Sequence, residues 1–147
     1  MIKRIEIKFE KGEEFTAVLL EDKAPKTYKI VWENLPLSGK IGHGIYSGKL
    51  MYLIVDTGFD ELENARSMGF LPGDIAYQTR FYGRDTHNEI LIVYGDAIVR
   101  DVCGWTPANY FARIVEGNLE HLKNVATRIR ECGTEKITIR KQSVSRK

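Results

Sequence analysis

No stretch of the 147 residues stays apolar for the roughly 20 positions that a membrane helix needs. The N-terminal run Met1-Ile2-Lys3-Arg4-Ile5 passes straight into alternating charges, without the apolar core of a secretion signal. The expectation is a cytoplasmic protein with no membrane partner. Cysteine is scarce: Cys103 and Cys132 match no disulfide framework and no zinc spacing, and they suit a reducing compartment. A basic face is missing as well. The formal charge is +2, but with Arg140, Lys141, Arg146 and Lys147 set aside, residues 1–139 hold 18 basic against 20 acidic side chains. A nucleic-acid partner is therefore not expected. No segment carries a complete catalytic constellation, and the elements do not alternate as βαβ units, which argues against a doubly wound parallel sheet.

What the chain does have is enough apolar residue for a core, 43% against 29% charged, at a length typical of one domain. The reading is one domain over residues 1–141, followed by a polar tail, 142–147. Ile5, Ile7 and Phe9 alternate with Glu6, Lys8 and Glu10, the period of a half-buried strand. Lys11-Gly12-Glu13 turns the chain into a second run ending at Leu20, so residues 2–20 read as a hairpin. Pro25 suits the first turn of a helix, whose apolar face is Tyr28, Val31, Trp32 and Leu35, and Pro36 stops it. Trp32 is read as core. Ile41 to Val55 forms a further hairpin around Ser47-Gly48-Lys49.

The acidic cluster Asp60-Glu61-Leu62-Glu63-Asn64 lacks the glycine and ligand spacing of a calcium loop and reads as a surface segment. No metal and no cofactor are expected. Leu71-Pro72-Gly73-Asp74 is a tight turn into the strand Ile75-Ala76-Tyr77, and Glu89 to Tyr94 is a strand apolar enough to be covered on both faces, ending at Gly95-Asp96. Tyr110 to Glu116 forms a strand closed by Gly117. Asn118 caps a second helix with the stripe Leu119, Leu122, Val125, Ala126 and Ile129, and Gly133 stops it before a last strand, 136–140. These elements predict a mainly β fold: a closed antiparallel barrel of about eight strands with helices near 25–34 and 118–131.

Three segments carry a family resemblance. Glu21-Asp22-Lys23-Ala24-Pro25-Lys26-Thr27 looks like the opening of the first cyclophilin helix, and Phe111-Ala112-Arg113-Ile114-Val115-Glu116-Gly117 like the strand before the second. His43-Gly44-Ile45-Tyr46-Ser47-Gly48 is similar to the cyclophilin active-site run His-Arg-x-x-x-Gly. The chain most resembles uncharacterised prokaryotic proteins of cyclophilin-like fold, in which the turn Pro72-Gly73-Asp74-Ile75 and a strand end such as Tyr94-Gly95 recur. The resemblance implies a groove on the outside of the barrel, but not its isomerase chemistry. Gly44 stands where cyclophilins place the arginine that bonds the twisting prolyl amide, and Lys49, Leu50 and Tyr52 replace an aromatic, a methionine and a glutamine. Arg80, Arg84 and Arg100 are the candidates to replace the missing donor.

By the same resemblance Tyr52, Leu91 and Trp105 form groove walls with His43 or His87 at the rim. His43, His87 and Glu89 are the candidates for acid–base work, since imidazole titrates near neutral pH; His121 belongs to an exposed helix face. The expected function is binding of a small molecule or peptide in this groove, without efficient prolyl isomerase activity. The alternatives are an enzyme using the same groove, a prolyl isomerase included, and a protein that pairs barrels into a homo-oligomer.

Overall fold

The computed structural model describes residues 2–80, 87–101 and 104–142. Arg84, Cys103 and residues 143–147 of the expected tail lie outside the described residues. The hairpin of β1 (Arg4–Phe9) and β2 (Glu14–Leu19) leads to helix α1 (Pro25–Glu33). A second hairpin follows, β3 (Leu37–His43) and β4 (Gly48–Val55), and then the two-residue strand β5 (Ala65–Arg66). The remaining elements are β6 (Asp74–Gln78), β7 (Asn88–Ala97), the short pair β8 (Arg100–Asp101) and β9 (Gly104–Trp105), β10 (Ala108–Glu116), helix α2 (Leu119–Cys132) and β11 (Glu135–Lys141).

Eight of these strands form a ring in the order β2-β1-β11-β3-β4-β7-β6-β10, and β10 pairs back onto β2 to close it. Every neighbouring pair is antiparallel. The alternation read in the sequence sets which side chains enter the barrel. Ile5, Ile7 and Phe9 of β1, Phe15, Ala17 and Leu19 of β2, and Ile137 and Ile139 of β11 are all buried in one core cluster. The stripes of both helices, Val31 in α1 and Leu122, Val125, Ala126 and Ile129 in α2, merge into the same cluster. Trp32 packs on the margin of this core, with the ammonium groups of Lys3 and Lys141 5.8 and 4.8 Å from its ring.

Two boundaries differ from the sequence reading. β3 starts at Leu37, directly after Pro36, because Leu37 pairs with Ile139 of β11. β7 continues through Gly95 to Ala97, because a register shift between Leu50 and Gly48, with the extra residues on the β7 side, lets Gly48 pair with Ala97. Gly95 faces Lys49 inside the strand: a Cβ there would meet Lys49 Cδ at 2.6 Å, so the lysine side chain would have to shift. No helix among the described residues is long and apolar enough to cross a membrane.

Candidate functional site

The outer face of the barrel is where the chain departs from ordinary patterning. Side chains of β4, β6 and β7 that point away from the interior line up in cross-strand rows: Gln78, Glu89 and Ile54 in one, Ala76, Leu91 and Tyr52 in the next. Beyond these rows Val93 pairs with Leu50. This outer surface is largely apolar, and it is partly roofed. Phe70 and Val99, from connecting segments, pack with Leu50, Leu91 and Val93 into a second buried cluster distinct from the barrel interior. That explains why β7 is apolar on both faces: one faces the core, the other a covered outer floor.

Where the roof stops, a cavity of about 310 Å³ opens. Leu50, Tyr52, Ile54 and Leu91 give it an apolar floor, and the turn Gly44–Ser47 forms one wall. Its polar groups are Gln78, His87, Glu89, Arg100 and Asp101. This mixture of an apolar surface with a few placed polar groups is the composition of small-ligand sites. His87 and Glu89 are bonded to each other, Nε2 to Oε2 at 3.1 Å. Because an ionised carboxylate only accepts, Nε2 carries the proton. The two side chains are 29% and 14% exposed, so the carboxylate is the more withdrawn from water. Gln78, 7% exposed, is held by its amide to Thr106 Oγ1 at 2.9 Å. Arg100 is fixed through its backbone, its N–H donating to Ser47 Oγ at 3.0 Å while that hydroxyl donates to Arg100 O.

Tyr52, His87, Glu89 and Leu91 are thus brought together on one cavity wall and floor. His43 and Trp105 are not. His43 Nδ1 donates to Gly44 O at 2.8 Å and its Nε2 accepts from the hydroxyl of Tyr94, a residue of the interior cluster, at 2.6 Å. Both ring nitrogens are therefore used structurally. Trp105 is 60% exposed and is held by its pairing with Arg100 in the short β8–β9 ladder. The place beside Leu91 that Trp105 was expected to take is filled by Phe70 and Val99.

Of the three arginines proposed to replace the missing donor, Arg80 is tied to Asp60, its Nε donating to Oδ2 at 2.8 Å. The guanidinium, together with a backbone bond from Arg80 and an amide bond from Asn88, holds the Asp60 carboxyl down to about 2. Arg84 lies outside the described residues, and Arg100 lines the cavity. Sequence reasoning passed over Gln78, whose signal was a single polar residue at an outward position of an apolar strand. It also passed over Ile45, Tyr46 and Ile54, which are 83%, 52% and 51% exposed at the cavity mouth. Exposed large apolar residues beside a glycine turn were that signal. Among the described residues no cluster of three metal-ligating side chains exists.

The sequence profile of a family described as a protein of unknown function, DUF3830, matches residues 7–141. The chain belongs to this family. No curated protein matches it. Among solved structures the DUF3830 chain is similar to McbB, described in complex with tryptophan, with a TM-score of 0.77 and 16% identity. The match covers 97% of this chain and 46% of McbB, so the chain spans less than half of that protein. A second similar structure is the hypothetical protein AF2241 from Archaeoglobus fulgidus, with a TM-score of 0.68 and 22% identity, covering 96% of this chain and 95% of that one. These likenesses establish a shared barrel fold.

Proposed function

We propose that this DUF3830 protein binds a small molecule or short peptide in the outer cavity and lacks efficient prolyl isomerase activity. The observation that carries the reading is the cavity itself, with Tyr52 and Leu91 on its floor and His87, Glu89 and Arg100 on its walls. McbB, of like fold, is described with tryptophan bound; that supports ligand binding by such barrels without naming a ligand for this one. A volume of about 310 Å³ suits a molecule of modest size or one peptide side chain and its neighbours.

The test is a ligand screen by protein-observed NMR or tryptophan fluorescence on wild type and Tyr52→Ala. Ligands of the cavity are expected to shift Trp105, which is tied to Arg100, and to leave Trp32 silent. Trp105→Phe assigns the signal. Tyr52→Ala is expected to weaken binding about tenfold or more while the domain stays folded. Hits that bind Tyr52→Ala as well as wild type would place the ligand elsewhere and end the proposal. A second reading, an enzyme using the same cavity, rests on the imidazole–carboxylate pair in its wall.

A further inference from the structure

The His87 end of the cavity has spent its donors and kept its acceptors. Gln78 and Glu89 stand opposite each other on β6 and β7, an arrangement that sets Cβ atoms about 5 Å apart, and His87 is bonded to Glu89. The amide Nε2 of Gln78 is committed to Thr106 Oγ1. Its Oε1 accepts no hydrogen bond among the described residues, where Thr79 Oγ1 is the only buried polar side-chain atom without a partner; the Gln78 oxygen is therefore open to the cavity that the residue lines. The Nε2–H of His87 is given to Glu89, which leaves Nδ1 as an acceptor with no hydrogen bond among the described residues. The Glu89 carboxylate only accepts, and with about four lone-pair sites it has room for a donor beyond those already bound to it. A ligand group that suits this wall is cationic and carries donors alone. An ammonium has three N–H donors and no acceptor, whereas a carboxylate or phosphate would bring like charge and more lone pairs.

We infer that this end of the cavity receives a primary ammonium ion, and that the ligand is an amine with an apolar aryl or alkyl body. This rests on the outer cavity being a binding site. The ammonium donates to the Glu89 carboxylate, Gln78 Oε1 and His87 Nδ1. Its body lies over Leu91 and Tyr52, which form the next cross-strand row of the floor, and the face of the Tyr52 ring also favours a cation. Arg100 does not oppose this. It is anchored at Ser47, and Glu89 pairs with Ile54; that stretch of strand spans roughly 20 Å, well beyond the screening length of about 8 Å at physiological salt. Glu89 and Gln78 thereby select the charge of the ligand, and Tyr52 and Leu91 select its apolar body. The same ammonium occurs on a free amine and on a lysine side chain of a peptide, and the two are separable by experiment.

Three probes of one shape and different head groups make the test: phenylpropylamine, phenylpropanol and phenylbutyrate, titrated into wild type at neutral pH by protein-observed NMR. The amine is expected to bind about tenfold tighter than the alcohol, the margin of hydrogen bonds to a charged group, and the acid weakest of all. N-acetyl-lysine methylamide carries the ammonium on a peptide unit. Tighter binding of phenylpropylamine than of this compound assigns a free amine, the reverse order assigns a lysine-bearing peptide, and both support the ammonium site. Glu89→Gln should abolish the preference for amine over alcohol while both still bind. The variant is checked for wild-type melting; if it does not fold, the order of the probes on wild type decides the matter alone. Equal affinity for amine, alcohol and acid, or tighter binding of the acid, overturns this inference and leaves the cavity standing as a binding site. Failure of every probe to bind also overturns it, and the wider screen on wild type and Tyr52→Ala then decides separately whether the cavity binds anything.

Discussion

In the proposed reading, Gly44 removes an activity without removing the cavity. It lines the cavity, but it has no side chain to donate to a prolyl nitrogen, and loss of a preorganised donor costs about 10²–10³ in rate. A protease-coupled assay on a proline tetrapeptide is expected to give a rate close to the uncatalysed one. Gly44→Arg should restore little, because a Cβ at this position meets Leu50 Cδ1 at 2.9 Å and Leu50 must turn out of the floor. Overpacking of this kind costs about 1–3 kcal/mol, measurable as a lowered urea midpoint. An isomerase rate in the range of ordinary cyclophilins would instead point to Arg100. At this scale the sequence was informative where strand alternation decides the outcome. Tyr52, Glu89 and Leu91 sit at outward positions of paired strands, so they meet on the cavity wall and floor. His43 and Trp105 could not be placed that way, because their directions depend on Tyr94, 51 residues from His43, and on the roof formed by Phe70 and Val99.

Among the elements, α1 starts without the usual device. Its N-cap residue, Ala24, has no side chain that can accept a hydrogen bond. The acceptor comes from another segment: Glu63 takes the N–H of Lys26 at 3.0 Å, the N–H of Thr27 at 2.8 Å and the hydroxyl of Thr27 at 2.8 Å. The acidic cluster 60–64 is therefore the clamp of a helix and, through Asp60, of Arg80. Neither role was visible in the cluster itself, since both partners lie more than 15 residues away. Glu63→Ala is expected to destabilise the domain by about 1–2 kcal/mol, seen as a lower thermal midpoint. Asn118, whose side chain accepts from Glu120 N and His121 N, performs the local version of the same task for α2, and this one was legible in the sequence.

Over the whole molecule, Arg128 of α2 ties together segments far apart in the chain. Its Nη1 reaches Glu13 Oε2 at 2.7 Å, just before β2, and its Nε reaches Glu135 Oε2 at 2.9 Å, at the start of β11. Arg128→Ala leaves Glu135, 7% exposed, without this partner. The cost for a fully buried pair is about 3–5 kcal/mol; Arg128 and Glu13 keep 23% and 27% exposure, so about 2 kcal/mol is expected from urea unfolding. The same contacts set the acid limit. Arg128 lowers Glu13, Lys3 lowers Glu21, and Asp60 is held down to about 2 from its usual 3.8. A carboxyl with a depressed folded pKa adds stability that is complete above its unfolded value and is lost as pH falls through the folded one. Stability should therefore fall progressively from about pH 5 to about pH 1, and Asp60→Asn should cost about 1 kcal/mol at pH 7 and little once the pH is about one unit below the folded value of Asp60.

The pairing of β1 with β11 brings Ile5 opposite Lys141 and Phe9 opposite Ile137. Within the barrel β1, the first strand of the ring in chain order, thus waits for β11, the last of the ring, and so does the free side of β3. Until residues 135–141 emerge, the nascent chain carries two strand edges with unpaired amides and an interior open between them. Synthesis at about 5–20 residues per second leaves that state exposed for several seconds. The ring that closes when β11 pairs is therefore, during translation, an open sheet with two exposed edges.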